Sequence, residues 1–444
     1  MAISDTLGII GNTPLVKLDS FDVGKSRLLL KLESANPGGS IKDRVALSMV
    51  EAAERDGKIA PGGTLIEATS GDTGIGLAVV AAKRGYKLLL VLPDNVGPEK
   101  ITHLKALGAT VILTRSDVER GNPEHFYDYA KRLSQGIPNS YFLDQFSNPA
   151  NALAHELSTA PEIWAQTNHS VDAIIVGVGS GGTLNGLSKF FKSAKPQLEF
   201  VLVRTKGLGL GAEQRDSSKQ DFGDYDLSLV RDSYSIPSEE SYKIARALLR
   251  YEGILAGPST GSLIAAAMRY AQEQETPKTI VTFASDSGSN YLNSVFNDHW
   301  LASQGLESRR QVSGTVNDLI ESKYEDRSVI VARSAERLVN VYNRMKIHNV
   351  SQVPVVDDGK IVGILDEYDI LLAVSDGNVE RFNSPVSSFM TSKLQTVPPA
   401  APTESILPLL KNGLSAVIKD DKRFYGLITK ADYLDYLRRK LPNG

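Results

Sequence analysis

From residue 64 onward, short and nearly continuous apolar runs alternate with amphipathic stretches of helical length, and no other feature of the chain restricts its fold as much. TLIEATS at 64–70, KLLLVLPD at 87–94 and ATVILT at 109–114 read as strands. The intervening segments 73–84 and 98–107 read as helices, closed by Gly85 and followed by Gly108. The same rhythm returns at 172–179, 199–205 and 278–285. Strands that are apolar on both faces, joined by helices, make a parallel sheet covered on both sides. About 300 residues of such a pattern exceed one ordinary core, which predicts two lobes with a cleft between them.

The rhythm stops in the polar stretch GLESRRQVSGT at 305–315, which reads as a linker. Beyond it the chain repeats itself. Val355-Val356 followed by GILDEYD at 363–369 is echoed by Val417-Ile418 followed by GLITKAD at 426–432, an offset of 63 residues from Gly363 to Gly426. Each copy is one small α/β unit, and repeats of this size bury their sheet faces against each other. The expected organisation is an α/β unit over residues 1–303, a linker over 304–316, and two repeats over 317–376 and 377–444.

Composition removes whole classes of function. The net charge is −3, from 49 basic and 52 acidic residues, which argues against a protein held by nucleic-acid phosphates or an anionic membrane, because counterion release needs a basic surface. No apolar run approaches the ~18 residues of a membrane span. The start of the chain has no secretory pattern, which makes a cytoplasmic location the expectation. Cysteine is absent, so disulfides, thiolate metal sites and a cysteine nucleophile are excluded, and no two of the 6 histidines stand at a metal-ligand spacing.

Three glycine-rich segments sit where strands should end. The first, NPGGSIKDR at 36–44, places Lys42 at the start of a helix. Lys42 is either a surface lysine or an amine held in the cleft, where desolvation lowers its pKa and makes it nucleophilic. The second, TSGDTGIG at 69–76, is a strand-to-helix turn suited to a carboxylate or phosphate, or an ordinary helix capped by Ser70 or Asp72. The third, GVGSGGT at 177–183, satisfies the dinucleotide spacing through Gly177, Gly179 and Gly182. The acidic ribose partner is missing, because the next strand ends in Val203-Arg204-Thr205. Phosphate cradling by backbone N–H groups survives, and Arg204 leaves NADP open.

Taken in order, GNTPL at 11–15, GGSIKDR at 38–44, TSGDTGIGLA at 69–78, Gln145 with Asn148-Pro149, GVGSGGT at 177–183, EGILAG at 252–257 and SDSGSNY at 285–291 resemble the fold-type II pyridoxal-phosphate enzymes. That family contains cysteine synthase and cystathionine β-synthase, and the resemblance spans residues 1–303. The repeats resemble a pair of CBS domains, a regulatory α/β module that often binds adenosyl compounds. A catalytic domain followed by that pair is the layout of cystathionine β-synthases. The resemblance implies a two-lobed α/β catalytic domain with parallel sheets, then a tandem CBS module. It implies pyridoxal 5'-phosphate as cofactor and, without the haem-binding extension of the animal enzymes, no haem. The implied reaction is β-replacement on serine or an activated serine through a bound aminoacrylate, with homocysteine as nucleophile giving cystathionine. Cysteine synthase, or a related β-substituted alanine synthase with another nucleophile, is an alternative, as is an adenosyl-sensing pseudoenzyme. Members are usually homodimers or larger.

Residue by residue, the resemblance puts Lys42 at the covalent attachment point of the cofactor and makes it the catalytic base. Gly179, Ser180, Gly181, Gly182 and Thr183 align with the phosphate cradle, and Ser287 with the hydroxyl beside the pyridine nitrogen. Thr69, Ser70, Thr73 and Gln145 align with the substrate-carboxylate loop. Two departures stand out. Asp72 occupies a position that the family normally fills with Asn, whose amide donates to the cofactor's phenolic oxygen; Asp72 is therefore expected to be held protonated or to share a proton with that oxygen. The second-substrate region keeps only an approximation of the family's glycine–tyrosine–aspartate signature around Gly223, Tyr225 and Asp226, so Tyr225 is either a substrate contact or a surface aromatic. In the second repeat Thr429 and Asp432 keep the spacing with which CBS domains hold a ribose, of S-adenosylmethionine or an adenine nucleotide. The first repeat has Asp366 and Asp369 and reads as a helix cap.

Overall fold

The computed structural model describes residues 5–206, 230–304, 306, 314–320 and 329–439. They form two compact units, Met1–Phe296 and Asn297–Gly444. The linker expected over 304–316 falls largely outside the described residues, as does Tyr225 with the segment around it.

The described residues of the first unit hold ten strands: β1 (Leu15–Leu18), β2 (Arg27–Lys31), β3 (Thr64–Ala68), β4 (Lys87–Pro93), β5 (Thr110–Thr114), β6 (Ser140–Phe142), β7 (Ala173–Gly177), β8 (Glu199–Lys206), β9 (Val230–Pro237) and β10 (Thr279–Phe283). Its helices are α1 (Lys42–Arg55), α2 (Asp72–Arg84), α3 (Pro98–Ala106), α4 (Phe126–Gly136), α5 (Pro149–Ala154), α6 (Ala160–Gln166), α7 (Gly182–Ala194), α8 (Ser238–Glu252) and α9 (Pro258–Gln272), with a π-helical turn His155–Thr159 between α5 and α6.

Two sheets result. One is four-stranded in the order β5-β4-β3-β6, every pair parallel. The other is six-stranded in the order β1-β2-β10-β7-β8-β9 and parallel except for β1, which runs antiparallel to β2 at the edge. The two-lobed α/β arrangement is the expected one. The antiparallel edge departs from a purely parallel reading, because Leu15–Leu18 returns as a short hairpin partner of β2 instead of crossing over a helix.

The central strands of each sheet are buried on both faces. In the larger, Leu28, Leu30, Ile174, Ile175, Val201, Ile280 and Val281 are fully buried together with Phe191, Ile264 and Tyr270 of the covering helices. In the smaller, Leu65, Leu90 and Leu92 pack on Val45, Met49 and Val80 of α1 and α2, while Ile66, Ala68 and Val91 meet Phe126 and Ala130 of α4 on the other side. Each such side chain stabilises the fold by ~1.5–3 kcal/mol. Helix α2 touches the start of α1 at Gly76, where a Cβ would stand 3.0 Å from the Lys42 carbonyl oxygen, so any larger residue must push the two helices slightly apart.

The second unit starts with α10 (Asp298–Ser303) and contains both repeats. The first has α11 (Leu338–His348), β11 (Gln352–Asp357), β12 (Lys360–Asp366) and α12 (Glu367–Val374). The second has β13 (Thr396–Val397), α13 (Leu407–Lys411), β14 (Ala416–Lys419), β15 (Phe424–Ile428) and α14 (Lys430–Arg439). In each, an antiparallel hairpin with one register shift leads into a helix: β11/β12 shifts at Val355/Val356, and β14/β15 at Ile418/Lys419. Val356, Val417 and Phe424 share one buried cluster, so the two repeats do cover each other's sheets. No helix among the described residues is long and apolar enough to cross a membrane.

Candidate active site

Lys42 is the first residue of α1, delivered by the turn 36–41. Gly39 adopts a left-handed φ of +81°, and its N–H closes the turn on the Asn36 carbonyl at 2.8 Å. Gly38 N–H donates to Asp43 Oδ2 at 2.5 Å. The turn is then stapled to the loop after β10: Ile41 N–H donates to the Ser285 carbonyl at 2.8 Å, and Ser287 N–H to the Gly39 carbonyl at 2.9 Å. Lys42 and Ser287, remote in sequence, are thereby held on facing stretches of backbone. Burial pushes the pKa of the Lys42 amine down, with the charge of Asp72 opposing it. A lowered pKa leaves more of the amine neutral and nucleophilic.

The end of β3 supplies Thr69, Ser70, Asp72 and Thr73. Thr69 Oγ1 accepts from Gly71 N–H at 3.0 Å and fixes the turn, Ser70 is exposed at its tip, and Thr73 donates to Gln145 Oε1 at 2.7 Å. Gln145 Nε2 donates back to the Ala68 carbonyl at 2.9 Å, so both ends of this amide are set by the loop it joins. Beneath them lies Glu67, fully buried, accepting from Ala68 N–H at 2.9 Å and Gln145 N–H at 3.3 Å; burial pushes its pKa well above the usual carboxylate range.

The GVGSGGT loop runs from the end of β7 into α7. Gly181 takes φ +81° as the N-cap, and the first amides of α7 have no partner within the helix, which is the condition for holding an anion. Asn151 supports this cradle: its Nδ2 donates to the Gln145 carbonyl and to Ser180 Oγ, each at 2.8 Å, and a Cβ on Gly182 would lie 1.9 Å from its Oδ1. His155, in the π-helical turn, lies 3.2 Å from Thr183 Oγ1 through Nε2 and 2.9 Å from Thr159 Oγ1 through Nδ1. Burial holds its pKa well below the ordinary imidazole value, so the ring is neutral and bonds both hydroxyls.

The structure thus brings Lys42, Thr69, Ser70, Asp72, Thr73, Gln145, the 179–183 loop and Ser287 to the ends of strands in one unit. Asp72, at the position where the family normally has Asn, places its Oδ1 2.8 Å from Nζ of Lys100, a neighbour the sequence did not suggest. Sequence reasoning missed Glu67, Asn151 and His155; Glu67 and Asn151 each stand two residues from a motif that was read, 69–78 and Asn148-Pro149, and that adjacency was the available signal. In the second unit Asp432 Oδ2 accepts from Thr429 N–H and from Thr429 Oγ1, each at 2.6 Å, so this pair caps α14. Asp366 and Asp369 form the corresponding capping box on α12. Among the described residues no group of three or more His, Asp or Glu could hold a metal ion.

A phosphorylated aldehyde suits these residues: a half-buried amine of lowered pKa, free first-turn amides on a loop that glycine alone allows at position 182, and Ser287 on the facing backbone. The comparisons with known proteins agree. Residues 6–286 match the family model "Pyridoxal-phosphate dependent enzyme", and residues 322–376 and 386–439 each match "CBS domain". The chain is 31% identical to the cystathionine beta-synthase of Saccharomyces cerevisiae, over 98% of this chain and 97% of that one. It is 32% identical to that of Dictyostelium discoideum, over 99% and 93%. Similarity to the cystathionine beta-synthase of Apis mellifera reaches 38% over 68% of this chain, and spans only 63% of the bee protein. The crystal structure of a hydrogen sulfide-producing enzyme from Fusobacterium nucleatum is 36% identical, with a TM-score of 0.60, covering 66% of this chain and all of the other.

Proposed function

The chain belongs to the pyridoxal-phosphate dependent enzymes, and on that footing we propose that it catalyses β-replacement on serine or an activated serine, with homocysteine as nucleophile and cystathionine as product. The observation that carries this reading is the half-buried Lys42, its amine lowered in pKa by desolvation, on backbone stapled to that of Ser287, together with a glycine-rich helix start whose free amides suit an anion. Relatives named cystathionine beta-synthase, matched from end to end, support the choice of products. Bound pyridoxal phosphate supplies the electron sink that makes the substrate Cα–H acidic.

The chain's own residues do the rest. Lys42 Nζ is the covalent anchor and the group that takes and returns the Cα proton. The amides of 179–183 hold the phosphate, with the Ser180 and Thr183 hydroxyls oriented by Asn151 and His155. Ser287, a neutral hydroxyl, faces the ring nitrogen and does not force a proton onto it as a carboxylate would. Thr69, Ser70, Thr73 and Gln145 receive the substrate carboxylate, and Tyr225 belongs to the second-substrate pocket. The catalytic domain comprises residues 1–303, and the CBS domains 317–376 and 377–444. An S-adenosylmethionine or adenine-nucleotide ribose binds at Thr429 and Asp432, and the protein works as a cytoplasmic homodimer or larger.

The experiment is borohydride reduction of the holoprotein with peptide mapping, joined to a mass-spectrometric product screen. Serine, O-acetylserine, O-phosphoserine and cysteine are each offered with homocysteine and with sulfide. A pyridoxyl mark on the Lys42 peptide and cystathionine from serine are the expected results; an unmarked Lys42 refutes the reading. The hydrogen sulfide-producing neighbour favours one second reading, in which cysteine is the first substrate and sulfide leaves. Sulfide release from cysteine, with no product from serine, would establish it instead.

A further inference from the structure

We infer that Lys100 is a positioning residue that holds Asp72 as a charge-balanced hydrogen-bond acceptor beside the cofactor ring and ties it to the loop carrying Ser287. The inference rests on the reading of Lys42 and Ser287 as cofactor residues.

Lys100 belongs to α3 and is 8% exposed. Its Nζ lies 2.8 Å from Asp72 Oδ1, donates to the Tyr291 hydroxyl at 3.1 Å, and stands 4.0 Å from Asp286 Oδ2 and 5.0 Å from the Tyr291 ring centroid. Tyr291 in turn donates to Asp286 Oδ2 at 2.6 Å. One ammonium therefore bridges the start of α2, in the lobe of the four-stranded sheet, to residues 286 and 291 on either side of Ser287, beyond the six-stranded sheet. Backbone has been cleared for it at both ends. A Cβ on Gly71 would lie 2.6 Å from Lys100 Cδ, and a Cβ on Gly257 would lie 2.1 Å from Asp286 Oδ1.

Despite its burial the nearby carboxylates hold Lys100 charged, its pKa well above the ordinary lysine value. Asp286 is pushed up to about 7 by burial and by Asp72. A carboxylate has only acceptor sites, whereas the amide usual at this position donates. With Lys100 fixing Asp72 in the anionic form, the ring hydroxyl is the donor of the contact and keeps its proton. The polarity of that hydrogen bond is reversed relative to a site with Asn. Without Lys100, Asp72 would set an uncompensated negative charge against the ring oxygen.

The test uses full-length protein stripped of cofactor and titrated with pyridoxal phosphate, read by affinity and by the absorption spectrum of the loaded protein at one pH. D72N is expected to shift absorbance from the short-wavelength, oxygen-protonated band to the long-wavelength band, while K100R keeps the parent spectrum. K100M should weaken cofactor binding about tenfold or more, and D72N/K100M should recover to within about threefold of D72N, the non-additivity expected of directly coupled groups. Parent-like affinity and spectrum in K100M, or additive losses in the double variant, would overturn the inference. If K100M does not fold, D72N decides alone, since an unchanged spectrum refutes the reversed polarity. A borohydride mark retained on Lys42 with no effect of K100M sinks this inference only; an unmarked Lys42 in the parent sinks the reading on which it stands.

Discussion

Gly182→Ala is the smallest change that should damage the phosphate cradle. The added methyl would lie 1.9, 2.3 and 2.7 Å from Oδ1, Cγ and Nδ2 of Asn151, an approach no real Cβ makes. Asn151 is 2% exposed and cannot swing into solvent. It must rotate within the core, and its two 2.8 Å bonds, to the Gln145 carbonyl and to Ser180 Oγ, go together. A net hydrogen bond stabilises by roughly 0.5–1.5 kcal/mol, and each buried group left unpaired adds about 1–3 kcal/mol of penalty. The sum, discounted for relaxation, is about 2–4 kcal/mol. Scanning calorimetry of the cofactor-free protein should show the catalytic unit melting several degrees lower, at ~2 °C per kcal/mol for a unit of this size, with the CBS unit unmoved. Pyridoxal-phosphate affinity should fall with it, because Ser180 loses its orientation. Asn151→Ala in the G182A background removes the clashing amide and should return part of the stability but not the affinity. A melting point within about 1 °C of the parent would refute the reasoning, since it would mean that Asn151 yields freely.

Other perturbations separate buried from exposed groups. Asp43, raised to about 7 chiefly by burial, binds its proton more tightly folded than unfolded, so its contribution is full below the ordinary carboxylate range and is lost as pH rises toward 7. The melting point of the parent should therefore decline relative to Asp43→Asn across pH 4–7, with a slope of at most about 1.4 kcal/mol per pH unit; parallel profiles would contradict this. Lys31→Met should destabilise by about 3–5 kcal/mol in chemical denaturation, because Lys31 is fully buried on Glu162 at 2.6 Å and the Thr13 carbonyl at 2.7 Å, whereas Lys17→Met, at an exposed pair with Asp19, should change stability by less than about 1 kcal/mol. Asp432→Ala should lower the CBS unit's stability by about 1 kcal/mol through the lost helix cap, and by more when an adenine nucleotide is added, because only the parent then gains from ribose binding; an equal loss with and without nucleotide would leave Asp432 a cap alone.

Strands β3, β4, β7, β8 and β10 were legible because burial on both faces leaves an unbroken apolar run, and edge strand β5 because VIL still breaks the surrounding polar sequence. Strand β9, VRDSYSIP, alternates between exposed and half-buried residues and lies at a sheet edge, so it carries no such signal. Strand β6 has three residues and is specified by its pairing with β3 more than by its own sequence. The glycine turns of the site were legible for a different reason: left-handed or crowded backbone at Gly39, Gly71 and Gly182 leaves few choices of residue. Lys100 and Asn151 were not, since Asp72, Tyr291 and Asp286 lie far from Lys100 in sequence and Ser180 lies 29 residues from Asn151. KITHLKA reads as any solvent-facing helix, and only the fold sets Lys100 against Asp72 and Tyr291.

Two buried ionic clusters flank the start of α1, and charge balance separates their roles where perturbed pKa values alone do not. In the first, Arg44 bonds Glu33 at 2.8 Å and Glu162 at 2.6 Å, and Lys31 bonds Glu162 from the other side, giving two cations for two carboxylates. Glu162 is held down at about 2, as a carboxylate fully used by its partners should be, even against the opposing effect of burial. Such a closed set ties β2, α1 and α6 together and has nothing left to offer a ligand. In the second, Lys100 is the cation among the described residues that meets both Asp72 and Asp286, and the Asp286 carboxyl is raised to about 7, chiefly by burial and then by the charge of Asp72. The charge of Asp72 acts on the Lys42 amine, so the imbalance opens toward the reactive group. Structural networks and active sites both shift pKa values. An unbalanced set is costly in a core unless a further group completes it, and here the group in reach is the amine on which the proposed chemistry turns.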